Sequence, residues 1–471
     1  MIPLVATAPA YALRRWQLTT TLVGVLACGA VIFILAHPFG ATLALGGLTI
    51  DAGTSVNVLG RVLAVRSTDQ FPLVLLFCSA AILFLIGWLV SEGWTYVPLG
   101  LGMLALLSAG LLIRPFVFAG LAFVAAAALG AIMAQADRSG QGSAGGALRY
   151  LVVNTLALPA FLGAGYIVSQ ASNITDITAQ TAAYGPAVVL LAIGLGLLFG
   201  AFPIFTWTHS VAKDAPPMVV AFLVTVGGGA VCFLALSLMQ DFTWLSNGTS
   251  ITTYMKVLGA ASLVFGGLLA WAQRSFGRVV ACAASVEIGI SLILLSNSTL
   301  LAVETVAFSL LVRALSLGTM ALGVALIQRE TGSDDFASIS GHGRRNPWAA
   351  LAIAAGGLSL AGIPGTAGFV SRWATARVIS RTDMELLVVI LLAGASVGIG
   401  VVRGLAALFA TPVSQDETDA TPLALSPAHS ANVRIAVTVA LAVALIAILG
   451  IAPGMTAPLT NTAAQNYTFY K

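Results

Sequence analysis

The chain has 471 residues, 59% of them hydrophobic and only 8% charged, with a mean hydropathy of +1.00. A soluble globular domain carries about 25% charged residues, so this composition excludes one and identifies an integral membrane protein. The net charge of +4 and the pI near 9.0 imply no nucleic-acid partner, because arginine retained in the loops on one membrane face accounts for them; the medium they imply is the lipid bilayer.

Runs of about 20 apolar residues separated by short polar breaks predict an all-α, polytopic transmembrane helical bundle, since barrel strands would read as alternating segments of about ten residues. About thirteen spans are predicted. In the amino-terminal part they run from Trp16 to Ala36, Phe71 to Val90, Thr95 to Ile113, Pro115 to Gln135 and Leu148 to Ser169. The middle of the chain gives Pro186 to Trp207, Pro217 to Gln240, Thr253 to Gln273 and Val279 to Ser296. The last four are Leu300 to Gln328, Pro347 to Phe369, Glu385 to Ala410 and Asn432 to Ala452. The first is too long for a signal-peptide core and has no small-residue cleavage pattern after it, so it is read as retained. Between the first two spans, Gly40 to Gln70 is Gly- and Thr-rich and only moderately apolar, which fits a surface loop or a partly inserted helix.

Arginine placement sets the expected orientation. With a cytoplasmic amino terminus, Arg14, Arg15, Arg138, Arg149, Lys213, Arg274, Arg278, Arg329, Arg344, Arg345 and Arg434 fall at cytoplasmic ends. Arg61, Arg66, Arg114, Lys256, Arg372, Arg377, Arg381 and Lys471 oppose them. The carboxyl terminus is then outside, and the linker from Thr411 to Ala431, with Asp416, Glu417 and Asp419, is a solvated cytoplasmic loop. Cys28, Cys78, Cys232 and Cys282 lie within spans, with no metal-ligand spacing and no loop pair suited to a disulfide, and read as small core residues.

Four segments, in order, carry a resemblance. Arg149-Tyr150 comes first, then Gly194 to Pro217, GLGLLFGAFPIFTWTHSVAKDAPP. The third is Phe265 to Gly289, FGGLLAWAQRSFGRVVACAASVEIG, and the fourth spans Phe336 to Trp373 with SGHGRRNPW and LAGIPGTAGFVSRW. Together they resemble the antiporter-like membrane subunits of respiratory complex I (NADH:quinone oxidoreductase) and of the related cation antiporters and hydrogenases. Within that family the overall brevity and the Trp207-Thr208 turn are most similar to the subunit N type. The resemblance implies antiporter-like inverted repeats with broken helices, here 115–240 and 241–410, preceded by amino-terminal helices over 1–114 and followed by a cytoplasmic loop and last helix over 411–471. It also implies lateral contact with other membrane subunits of a multi-subunit respiratory or hydrogenase-like complex in an energy-transducing bacterial or archaeal inner membrane. The chain itself would be a non-catalytic subunit of a redox-driven translocase.

Relatives in this family carry protons on buried lysines and a carboxylate partner. Burial lowers a lysine pKa and a nearby carboxylate raises it, so moving the partner toggles protonation. This chain has three lysines in all, Lys213, Lys256 and Lys471, none deep in an apolar run. The first-half lysine falls at Leu198, or Gly200 as the nearest alternative, the turn histidine at Phe205 and the lysine of the next broken helix at Gly228, within Val226-Gly-Gly-Gly-Ala230. The span from Pro115 to Gln135 holds no acid. Arg403, offered by the span from Glu385 to Ala410, is a poor proton carrier because its pKa exceeds about 12.

The remaining proton-path candidates are Glu287, Arg313, Arg403, Glu304, His209, Lys213 and Asp214. Glu287 fits a relay, or equally an ion pair with Arg313 that fixes helix packing. Glu304 reads as a solvated end, Arg278 as an interfacial anchor and Arg372 as snorkelling to the surface. Lys213 and Asp214 fit a proton entry port or a cap at the start of the next helix, and His209 a port or a satisfied loop histidine. No phosphate-binding loop, dinucleotide fingerprint, zinc or haem spacing, or nucleophile triad is present, so no cofactor, metal or catalytic residue is expected. A proton-translocating membrane-arm subunit with a rerouted or lost proton path, a sealing scaffold, the antiporter-like subunit of a hydrogenase or cation/proton antiporter, and an independent transporter are the readings left open.

Overall fold

The computed structural model describes residues 1–37, 42–45, 48–51, 56–58, 60–90, 95–135, 144–246, 249–297, 299–411 and 429–456. Arg138, Asp416, Glu417, Asp419 and Lys471, and with them nearly all of the linker from Thr411 to Ala431, lie outside the described residues.

The helices in the amino-terminal third are α1 (Ile2–Ala12), α2 (Gln17–Ala36), α3 (Ser67–Gly87), α4 (Tyr96–Leu112), α5 (Ala119–Gln135) and α6 (Gly145–Ala171). After them come α7 (Ile177–Ala183), α8 (Gly185–Phe199), α9 (Thr206–Asp214), α10 (Pro217–Phe222), α11 (Gly228–Asp241) and α12 (Thr243–Ser246). The rest are α13 (Thr249–Ala272), α14 (Phe276–Ser296), α15 (Leu300–Thr331), α16 (His342–Arg345), α17 (Pro347–Ala361), α18 (Ala367–Ile379), α19 (Met384–Phe409) and α20 (His429–Ile451). Among the described residues, eleven helical segments are long and apolar enough to cross a membrane, and Ile2–Ala12, Tyr96–Leu112 and Pro347–Ala361 are shorter apolar helices. Each predicted span overlaps a helix.

Three segments depart from the sequence-based expectation. First, α1 was not foreseen: two prolines, Pro3 and Pro9, interrupt a run of only 11 residues, yet the helix packs on α2 and α4. Second, the described residues between α2 and α3 include antiparallel strand pairs, which neither a bare loop nor an inserted helix would give: β1 (Thr42–Leu45) with β2 (Leu48–Asp51), and β3 (Val56–Val58) with β4 (Arg61–Leu63), which also pairs with β5 (Ile113–Arg114). Third, the span from Pro347 to Phe369 breaks inside the bundle, stopping at Gly362 with φ +82° and restarting at Ala367.

Local chemistry sets the helix ends. The Ser275 side chain accepts the Arg278 N–H at the start of α14, Thr299 accepts Ala302 N–H before α15, and Asn346 accepts Ala349 N–H before α17 with Pro347 at its first turn. The helix running Pro217–Asp241 contains a π-turn at Leu223–Gly227, directly ahead of the glycine run. In the segments Pro217–Asp241, Phe276–Ser296 and Leu300–Thr331, 89%, 94% and 94% of the most apolar stretch is buried and they form the centre, whereas Val433–Ile451 of α20 is the least buried of the spans at 17%. Helices α13 and α14 cross where Gly259 and Gly289 meet. A Cβ on either would stand 2.8 Å from the other's carbonyl oxygen, so small residues permit the close approach.

Candidate functional site

Three charges meet in the interior. Glu287 of α14, Arg313 of α15 and Arg372 of α18 are 7%, 2% and 9% exposed. Arg372 Nη2 donates to Glu287 Oε1 at 2.8 Å and to the main-chain oxygen of Leu360 at 2.9 Å. Leu360 lies in the last turn of α17, where the helix break leaves its carbonyl without an intrahelical partner. Arg313 approaches the other side of the carboxylate, its Nε 3.8 Å from Glu287 Oε2, and its Nη2 donates to the Glu287 main-chain oxygen at 3.0 Å and to Ser291 Oγ. One carboxylate thus holds two guanidiniums, and main-chain and hydroxyl oxygens take part of the remaining donors. Removing the carboxylate from such a site would leave two buried guanidiniums uncompensated, whereas removing one guanidinium would leave a one-to-one pair.

The helix breaks bring the triad together. At the π-turn, a Cβ on Gly228 would have Arg313 Nη1 as its neighbour at 3.8 Å. The position where the resemblance places a lysine is therefore a glycine, and the charge beside it comes from α15. At the second break, Ser359 Oγ accepts the Gly368 N–H at 3.1 Å and lies 2.8 Å from Ser316 Oγ, which pins the start of α18 to α15 and α17. This corrects the reading of Arg372 as a surface residue: the chain re-enters a helix inside the bundle, so a side chain five residues past the restart faces the centre.

Where the resemblance places the buried lysines of the first half, no comparable chemistry is present. The interior there holds a cavity of about 20 Å³, room for about one water molecule, bordered by Tyr150, Asn154, Leu198, Trp207, Gly228 and Ile288 among others, none a carboxylate or a lysine. Asn154 is turned to its own helix, donating to the Tyr150 carbonyl at 2.8 Å.

The other candidates are dispersed. Arg403 does not join Glu287 and Arg313. Helix α19 is continuous rather than broken, and Arg403 is exposed on its flank, donating to the Trp271 carbonyl at the end of α13. Glu304, half-buried one turn into α15, is more enclosed than a solvated end. Asp214 does not cap the helix that follows it; its Oδ2 accepts the Gly146 N–H at 2.8 Å, tying the first turn of α6 to the end of α9. Lys213 beside it is exposed. His209 lies on α9 rather than in a loop, with Nε2 3.1 Å from Cys282 Sγ; burial, with a smaller contribution from the Arg278 guanidinium, holds its pKa below the ordinary histidine value against the opposing effect of the Phe205 main chain.

A second charged cluster was not foreseen. Arg66 pairs with Asp241 at 2.7 Å and Asp69 at 3.4 Å, and Arg114 reaches Asp241 at 3.5 Å, joining the entrance of α3, the end of α4 and the end of α11. Lys256 pairs with Asp383 at 2.6 Å where α19 begins. These pairs gather Arg66, Arg114 and Asp241 at one end of the bundle. At another end, Arg149 donates to Ser210 and the Phe336 N–H to the Arg274 carbonyl. The sequence signal that hydropathy overrode was Gly362-Ile363-Pro364-Gly365, residue types that end a helix ahead of Arg372. With the break there, α17 has 15 residues and rises only about 22 Å, short of a core of about 30 Å.

The fold is shared with known membrane complexes. Over 99% of its length the chain superposes on a chain of the membrane-bound sulfane sulfur reductase, an archaeal respiratory membrane complex, with TM-score 0.78 and 17% identity, covering 96% of that chain. A chain of the Mrp complex from Dietzia sp. DQ12-45-1b gives TM-score 0.78 and 17% identity over 100% of this chain and 97% of that one. One from respiratory complex I of Thermus thermophilus gives 0.69 and 21%, over 98% and 99%. In sequence, the chain is 29% identical over 288 residues to NADH-quinone oxidoreductase subunit N of Desulforamulus reducens, covering 59% of this chain and 56% of that relative. To the subunit N of Anoxybacillus flavithermus it is 26% identical over 355 residues, covering 69% and 70%. The chain thus spans little more than half the length of the first of these relatives. The model of the transmembrane family of NADH:quinone oxidoreductase and Mrp antiporter subunits matches residues 112–398, and the chain belongs to that family.

Proposed function

We propose that this chain is a membrane-arm subunit of a proton-translocating NADH:quinone oxidoreductase or a related ion-translocating complex, one whose own proton path is lost from the first half. The observation that carries the reading is the pairing of a buried, fixed charge triad in the second half with a first-half cavity, beside Leu198 and Gly228, that is bordered by neither carboxylate nor lysine. A guanidinium does not release its proton in proteins, and both guanidiniums here are paired with Glu287. The triad is therefore a set of fixed charges that responds to displacement of α14, α15 and α18 rather than a chain of proton carriers. The helix breaks at Leu223–Gly227 and Gly362–Thr366, one in each of the proposed repeats 115–240 and 241–410, support descent from a two-fold transporter architecture. The gathering of arginines supports a cytoplasmic amino terminus in an energy-transducing bacterial or archaeal inner membrane.

Two measurements test this. Purification from native membranes in mild detergent, with mass spectrometry of what co-migrates, should recover other membrane subunits of such a complex; recovery of the chain alone would overturn the assignment. In the recovered complex, Glu287→Gln should leave the number of protons moved per electron unchanged, with Glu287→Asp as the companion that keeps the ion pairs should the glutamine variant fail to assemble. A lower ratio at intact assembly and electron transfer would return Glu287 to a relay.

A further inference from the structure

An open groove of about 700 Å³ lies where α13 and α19 end and α14 begins, lined by Arg274, Arg278, Asp335, Phe336, Ala337, Arg403, Ala406 and Ala407. Three guanidiniums face one carboxylate there, and none of the three makes an ion pair among the described residues. Arg403 sits two turns inside the end of membrane-spanning α19, held on the surface by the Trp271 carbonyl. Beside it the outer flank of α13 and α19 is apolar and exposed: Leu268 is 58%, Trp271 57% and Val402 54% accessible. Excess positive charge at the end of the spans, continuous with an apolar face along them, matches one chemistry: a phosphate-bearing head on the arginines with acyl chains against Leu268, Trp271 and Val402.

We infer that this groove binds an anionic phospholipid and holds it against α13 and α19. Lysine would serve a mobile charge, whereas guanidinium forks give bidentate contact with phosphate oxygens. A zwitterionic lipid brings its own cation to the same place and gains less. The proposal does not depend on which complex contains the chain.

The test is native mass spectrometry of the protein reconstituted in phosphatidylcholine nanodiscs doped with phosphatidylglycerol and released into detergent. The wild type should retain phosphatidylglycerol in preference to phosphatidylcholine. Arg403→Gln should lower that retention about fivefold, in line with the contribution of one basic residue near an anionic surface, and Arg274→Gln/Arg403→Gln should lower it further. Arg403→Lys, which keeps the charge but not the fork, should retain phosphatidylglycerol at a level between Arg403→Gln and the wild type, and Lys256→Gln, which lies outside the groove, should leave it unchanged. Equal retention of the two lipids by the wild type, or unaltered retention in the double variant, would overturn the proposal. So would loss of a neighbouring subunit from the double variant with its lipid complement intact, since the groove would then seat a protein.

Discussion

Arg372 and Glu287 lie 85 residues apart in the chain and 2.8 Å apart in the interior, joined because α18 restarts within the bundle. The contact makes the carboxylate the anion of a site with two cations, and the consequences of removing each partner differ. Glu287→Gln leaves two buried guanidiniums with no counter-ion and is expected to destabilise by about 3–5 kcal/mol. Arg372→Gln leaves a one-to-one pair with Arg313 and is expected to be clearly milder. Thermal unfolding of the detergent-purified variants checks the order; an Arg372 variant at least as damaging as the Glu287 variant would show that the triad is not organised around its carboxylate.

A second prediction separates backbone from packing at the helix break. Gly362 and Gly365 both adopt left-handed conformations, with φ +82° and +87°. A Cβ at Gly362 would stand 2.7 Å from Arg372 Cγ, whereas at Gly365 it meets nothing within 4 Å. Each alanine substitution carries the left-handed penalty of about 1–2 kcal/mol, but Gly362→Ala also has to move the stem of Arg372. Gly362→Ala should therefore be the more destabilising by thermal unfolding, and the excess should shrink when Arg372 is replaced by alanine, which removes the Cγ. Equal costs at the two glycines would contradict the positioning of Arg372 by the break.

How far the fold was legible follows from the signals each element leaves. Apolar runs of span length are unambiguous, and the predicted spans from Trp16 to Ala452 all meet helices. Burial of Glu287 and its pairing with Arg313 were also within reach, since both are charges deep in apolar runs. Arg372 was not, because hydropathy merges α17, the break and the start of α18 into one span, and the merged segment puts Arg372 at its end. Arg403 was misplaced for the opposite reason: an arginine within a run looks interior, and period alone does not say which flank faces lipid. The cluster of Arg66, Asp69, Arg114 and Asp241 joins residues up to 175 positions apart, and no local pattern announces that.

Stability should depend on pH through His209, which lies on α9 outside the spans. Burial lowers its pKa in the folded protein, with Arg278 acting in the same sense, while the unfolded chain titrates near pH 6.5. Below that value the unfolded state binds more protons, so stability rises with pH across the window and is lost as pH falls. Thermal unfolding of the wild type between about pH 7.5 and 5 should show this slope, and His209→Asn should flatten it. An equally steep loss in the variant would assign the dependence to other groups.

Gly228 supplies the last prediction. The resemblance places a lysine there, yet the nearest heavy atom to a Cβ would be Arg313 Nη1 at 3.8 Å. A lysine at this site would add a third cation around a single carboxylate, and like charges at such separations repel strongly in a low-dielectric interior. Gly228→Lys is therefore expected to lose several kcal/mol, on the order of the cost of an uncompensated buried charge, and to accumulate poorly in the membrane. Replacing Arg313 by methionine in the same chain should recover much of the loss, because the introduced lysine can then answer Glu287 in its stead. Membrane yield and thermal unfolding of the single and double variants decide it. If Gly228→Lys is tolerated with Arg313 in place, the arginine is not the substitute for the lysine, and its position beside the π-turn serves packing alone.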